Sequence, residues 1–211
     1  MIQNKEIENL IIKDLENAII EYKSSNEYAK TESVFNELLN YNFEKYKRKL
    51  KKEVKRKIKR IWTNPKKGVN LEQKIDAFLF EHYYPRPNVN DHEADIYGII
   101  EWEEKELESH IIEMESSYDF ADGLEQDTGI TMQFYNPFTK NGLGKEYYKD
   151  GLLITEDTKL AKCFQLKGLI SIHQAFIELG KENAFEKINR NNEFHILFGE
   201  HDEDCYLVLT I

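Results

Sequence analysis

Residues 44–62, EKYKRKLKKEVKRKIKRIW, are the most biased stretch in the chain and constrain how the rest is arranged. From Lys45 to Arg60 there are eleven Lys or Arg and one acid, Glu53, a local charge of +10. The whole chain carries −10, so the other residues sum to −20. That asymmetry is more informative than the net charge.

The apolar residues through this region are Phe35, Leu39, Phe43, Tyr46, Leu50, Val54, Ile58 and Ile61, at spacings of 4, 4, 3, 4, 4, 4 and 3. This repeat predicts one long α-helix with a narrow apolar stripe, from Glu32 to Trp62. Its length is about 45 Å at about 1.5 Å per residue. Thr31 or Ser33 is the expected cap, and Pro65 and Gly68 lie where a helix stop belongs. Basic side chains cover nearly all of its back, and only Lys57 falls within the stripe. Like charges at i,i+4 cost about 0.2–0.5 kcal/mol per pair. The helix dipole returns part of this near the C-terminus. The rest calls for a negative neighbour: the protein's own acidic surface, a second copy in a homodimer, or the phosphates of a nucleic acid. Plain solvent is the remaining arrangement. For a nucleic acid the contact residues would be Lys51, Lys52, Lys55, Arg56 and Lys59.

Working outward, residues 4–23 read as an amphipathic helix with Ile7, Leu10, Ile11, Leu15, Ile19 and Tyr22 on its apolar face. A Ser24-Ser25-Asn26 turn joins it to the basic helix, so residues 1–64 predict a helical hairpin arm. Past Asn64-Pro65 the pattern becomes that of strands. Ile75–Tyr84 and Ala94–Trp102 form a predicted hairpin closed by a polar, Pro-bearing loop. Glu103–Tyr118 predicts an acidic helix, with Leu107, Ile111, Met114 and Tyr118 on one face. Gly129–Asn136 alternates as a strand, residues 137–150 read as a loop, and Leu152–Thr155 as a short strand. Thr158–Leu179 is apolar nearly all round and predicts the most buried helix, with Gly168 bending or splitting it and Gly180 ending it. A short helix over 181–189 follows. The chain then closes on a hairpin of Glu193–Gly199 and Cys205–Ile211, apolar on both faces as central strands are. The expected fold is α+β: an N-terminal helical hairpin with one long basic helix, then a mainly antiparallel sheet of about five strands packed by two or three helices. The expected division is an arm over 1–64 and an α+β domain over 65–211, with one continuous domain as the alternative.

The hydrophobic share of 40% supports a real core and excludes a disordered chain. No signal peptide and no apolar run of spanning length is seen. Cys163 and Cys205 make no metal or redox spacing and read as buried free thiols. These features predict a cytoplasmic protein, and richness in Lys, Ile, Asn, Glu and Tyr is the composition of an AT-rich bacterial genome.

No motif specifies a reaction or a cofactor. Gly142-Leu143-Gly144-Lys145 lacks the spacing of a phosphate loop. Glu200-His201-Asp202-Glu203-Asp204 lacks the positions of an EF-hand and reads as a solvated hairpin tip. His82, His92 and Glu93 flank the first hairpin and make a candidate Zn²⁺ or Fe²⁺ site, the basis for a metal-dependent enzyme as one alternative. Residues 65–211 carry 29 acids and 14 bases, and acidic surfaces speed association with basic partners. The leading expectation is therefore a non-enzymatic protein-binding protein, such as an inhibitor or immunity protein that covers a basic toxin. Glu104, Glu108, Asp202 and Glu203 would be its contact residues. Binding of nucleic acid through the basic helix is the second alternative, and a membrane partner is not expected.

Overall fold

The computed structural model describes residues 3–65, 68–102, 107–113, 118–149 and 152–211. The fold is α+β, and the basic stretch is not one helix. Helix α1 covers Asn4–Lys23, α2 Tyr28–Leu39 and α3 Phe43–Ile58, which runs on as a π-helical turn, Lys59–Thr63. The break falls at Asn40-Tyr41-Asn42. The Asn40 side chain donates to the Asn36 carbonyl (2.8 Å), and Asn42 Oδ1 accepts the Lys45 amide (2.9 Å) as a cap. The apolar spacing runs unbroken across this point, but short amide side chains compete for backbone groups and end helices there. Thr31 is not a cap. It is buried inside α2, where its hydroxyl is 2.8 Å from Tyr22 Oη and donates to the Glu27 carbonyl at 2.9 Å.

The main sheet has the order β3-β9-β8-β1-β2-β4, with β5 also on β2. Its strands are β1 Ile75–His82, β2 Glu93–Ile100, β3 Ile111–Ile112, β4 Asp119–Phe120, β5 Asp127–Thr131, β8 Arg190–Glu200 and β9 Cys205–Thr210. Strands β6 Glu146–Lys149 and β7 Leu152–Thr155 pair separately. Both expected hairpins are present, β1–β2 and β8–β9, and they join through a parallel β1–β8 pairing. The sheet is therefore mixed and larger than five strands. Residues 107–113 hold no helix: Ile111 and Ile112 pair with Tyr206 and Cys205 of β9. Tertiary pairing overrides the helical pattern there. The rest of the expected 103–118 helix, 103–106 and 114–117, lies outside the described residues. The strand expected over 129–136 is β5 followed by a 3₁₀ turn, Gln133–Tyr135, and α4, Asn136–Lys140.

Helix α5, Thr158–Lys181, is the central helix, with fourteen buried residues. Each fully buried Leu, Ile or Phe contributes about 1.5–3 kcal/mol relative to exposure. The helix runs past Gly180 and stops before Asn183, whose φ of 56° is left-handed. Turns, rather than a further helix, follow to Ile188. Helices α1, α3 and α5 cover one face of the sheet. Phe80 meets Phe176 (5.4 Å between ring centroids), Phe78 meets Trp62 (5.5 Å), and His173 Nδ1 donates to the Val208 carbonyl (2.6 Å). On the other face Trp102 packs on His195, while Gly98, opposite Phe78 in the register, lies on the helix-covered face against Ala121 and Leu124. Asn4 exchanges two hydrogen bonds with Thr210 (2.9 and 3.0 Å), which ties α1 to β9. Cys163 and Cys205 are free and buried. Among the described residues no helix is long and apolar enough to cross a membrane.

Candidate protein-binding interface

The charge on α3 divides into two lines. Lys47, Lys51 and Lys55, four residues apart, face Glu178 and Glu182, which are four apart on α5. Lys47 reaches Glu178 at 3.3 Å, Lys51 reaches both at 2.6 Å, and Lys55 reaches Glu182 at 2.5 Å. Hydrogen bonds from Lys51 and Lys55 pull the Glu182 carboxyl down to about 2, and those from Lys51 and Lys47 lower Glu178. Glu53 accepts from the Thr131 amide (3.1 Å) and hydroxyl (2.9 Å), and Arg60 pairs with Asp127 at 3.1 Å. The other line, Lys45, Arg48, Lys52, Arg56 and Lys59, is exposed. Of the five candidate phosphate contacts, Lys51 and Lys55 are thus engaged within the chain, while Lys52, Arg56 and Lys59 face outward.

The first hairpin does bring His82 and His92 together, with ring centroids 5.7 Å apart. Both rings turn to one backbone oxygen. His82 Nδ1 is 2.9 Å and His92 Nε2 2.6 Å from the Tyr83 carbonyl. Burial pulls His82 down to about 3 and lowers His92, so both are neutral donors at pH 7. Glu93, the first residue of β2, is exposed, whereas His92 just before the strand is buried. Among the described residues no group of three or more His, Cys, Asp or Glu is placed to hold a metal ion. The two cysteines do not offer a nucleophile either, since burial pushes both thiols up to about 12.

The parallel β1–β8 pairing sets two hairpin ends side by side, with Glu81 opposite Gly199 and His82 opposite Glu200. The acidic β8–β9 turn therefore lands on the end of β1. His201 Nδ1 is 3.1 Å from the Glu81 carboxylate, and Tyr83, 51% exposed, meets the His201 ring at 4.7 Å in a tilted arrangement. Glu81 pairs across the sheet with Asp95, and Tyr97 lies two residues along from Asp95 on the same face. Burial, then the Glu81 and Asp95 carboxylates, push the Tyr97 phenol up to about 12. Phe120, 39% exposed, meets Tyr97 at 5.3 Å and Tyr118 at 5.6 Å. The result is an aromatic patch centred on Glu81 and rimmed by Asp95 and by the exposed Asp202, Glu203 and Asp204.

Beside this patch, on the helical side, a cleft of about 410 Å³ is lined by Tyr84, Lys162, Gln165, Glu200 and Tyr206. Lys162 Nζ sits 5.0 Å from the centre of the Tyr206 ring and donates to Gln165 at 2.8 Å. Burial and then Glu203 raise the Glu200 carboxyl to about 7.

Asp202 and Glu203 therefore belong to a built surface. Glu108 is exposed in the segment leading to β3, and Glu104 lies outside the described residues. Tyr83 and Tyr97 escaped the sequence reading. Period-2 alternation does group Glu81 with Tyr83 and Asp95 with Tyr97, but only the strand register puts the two pairs together. No family model, curated protein or solved structure matches the chain.

Proposed function

We propose that the protein binds a basic protein partner through the aromatic patch around Glu81 and its acidic rim, in the manner of an inhibitor or immunity protein. The observation that supports this most is the juxtaposition of exposed Tyr83 and Asp202–Asp204 with Glu81 and Asp95 on adjacent strand ends, extended along β2 by Tyr97 to the exposed Phe120. Tyr anchors carry much of the energy of protein interfaces, and a rim of one charge sign steers an oppositely charged partner. The two buried free thiols fit a reducing, cytoplasmic setting.

The test uses labelled mixed-sequence peptides rich in Arg and Lys, read by anisotropy at low and high salt. Tyr83→Ala is expected to weaken binding about tenfold or more, as removal of an anchor does. Asp202→Asn with Glu203→Gln is expected to slow association and flatten the salt dependence. Absence of peptide binding at low salt, or affinities indifferent to all three changes, contradicts the proposal.

A further inference from the structure

The outer line of α3 is the largest concentration of charge that the fold leaves unanswered. Lys45, Arg48, Lys52, Arg56 and Lys59 are all exposed, and among the described residues no carboxylate lies within ion-pair distance of any of them. The nearby acids are already engaged: Glu44 pairs with Lys47 (3.1 Å), Glu53 with Thr131, and Glu178 and Glu182 with the inner line. The five cations follow one another at steps of three and four residues, about 4.5 and 6 Å along the axis, over about 21 Å. Self-repulsion along such a line opposes the helix, and the helix dipole offsets it only near the C-terminus, at Arg56 and Lys59.

What remains is to choose among anionic partners. A protein partner needs apolar or aromatic anchors at the centre of its interface. Among the described residues the exposed large hydrophobic ones are Ile12, Ile20, Leu39, Tyr83, Val89 and Phe120, and none is on this line. An anionic membrane needs an apolar helix face to enter the headgroup layer. That face of α3, Tyr46, Leu50, Val54 and Ile58, is buried in the core. A nucleic-acid backbone needs only cations repeated at phosphate-like intervals along a rod. We infer that the outer face of α3 binds a nucleic-acid backbone, without reading its sequence. This surface is separate from the acidic patch around Glu81, so either proposal can fail without the other.

The test is anisotropy with labelled DNA duplexes of about 20 base pairs, in two unrelated sequences, across about 50 to 300 mM salt. The wild-type protein is expected to bind both alike, with a log–log salt slope of about −4 to −5 for five contacts at about −0.9 each. The triple variant Lys52→Gln, Arg56→Gln, Lys59→Gln is expected to lose more than tenfold in affinity and about 2.7 in slope. The control Lys51→Gln, Lys55→Gln removes cations already paired to Glu178 and Glu182, and its loss should stay within about threefold. Circular dichroism verifies that both variants are folded. No binding at the lowest salt, an unchanged slope in the triple variant, or equal loss in the control overturns the inference. Equally tight binding to polyglutamate or to phosphatidylserine vesicles overturns the assignment to nucleic acid.

Discussion

Gly168→Ala is expected to destabilise the protein by about 1–3 kcal/mol, and Gly168→Val by more. Helix propensity alone gives the opposite sign, since Ala is favoured over Gly in a helix interior by about 1 kcal/mol. Sterics decide it. A Cβ at Gly168 of α5 would lie 2.2 Å from Cζ of Phe134, and 2.4 and 2.5 Å from its two ε carbons. Those distances are far inside van der Waals contact, so the ring or the helix has to move. Phe134 is fully buried and held by Tyr135 at 4.7 Å and Tyr46 at 5.2 Å, so it has no free space to enter. Trimming the ring relieves the clash, and Phe134→Leu combined with Gly168→Ala should cost less than the two single changes added. Urea denaturation of the four proteins measures this. A Gly168→Ala protein as stable as wild type would mean that α5 does not pack on the 3₁₀ turn as described.

Glu200→Gln is expected to raise the melting temperature at pH 8 and leave it unchanged near pH 4. The folded-state carboxyl sits at about 7 against an ordinary value of 4.5, raised chiefly by burial and then by Glu203. The sign follows from proton linkage. Between those two values the unfolded chain gives up the proton and the folded protein keeps it, so stability falls as pH rises from about 4.5 to about 7 and is level above that. The neutral Gln removes the penalty. Partial exposure of Glu200 allows solvent screening, which trims the effect without reversing it. Glu182 acts in the opposite direction and in another window. Its carboxyl is lowered to about 2 by Lys51 and Lys55, so the stability it adds is present above about 4.5 and is lost as pH falls toward 2. Melting curves of wild type and Glu200→Gln from pH 4 to pH 8 isolate the contribution of Glu200, whose window lies above that of Glu182. Parallel curves across that range would contradict the account of Glu200.

Where apolar periodicity and tertiary packing agree, the fold is legible in the sequence. Helix α5, the β1–β2 hairpin and the β8–β9 hairpin follow from apolar runs, and in β9 the run Cys205–Leu209 is apolar on both faces. The unbroken basic helix fails for a local reason, because Asn40 and Asn42 bond the backbone and the apolar spacing does not register them. The helix expected around Ile111 fails for a long-range one, because that residue finds a strand partner, Tyr206, 95 positions away. The parallel β1–β8 joint has no local signature, yet it alone sets Glu81 beside the acidic turn. The candidate interface is therefore only half legible: its acids stand out in composition, while its aromatic centre exists only once the register is fixed.

Hydrogen–deuterium exchange of the full chain, with and without a saturating Arg/Lys-rich peptide, tests the proposed interface most directly. New protection is expected at residues 81–84, 95–97, 118–120 and 201–204, with α3 unchanged. Protection confined to the helices, or none at those four segments while the peptide is bound, would contradict it.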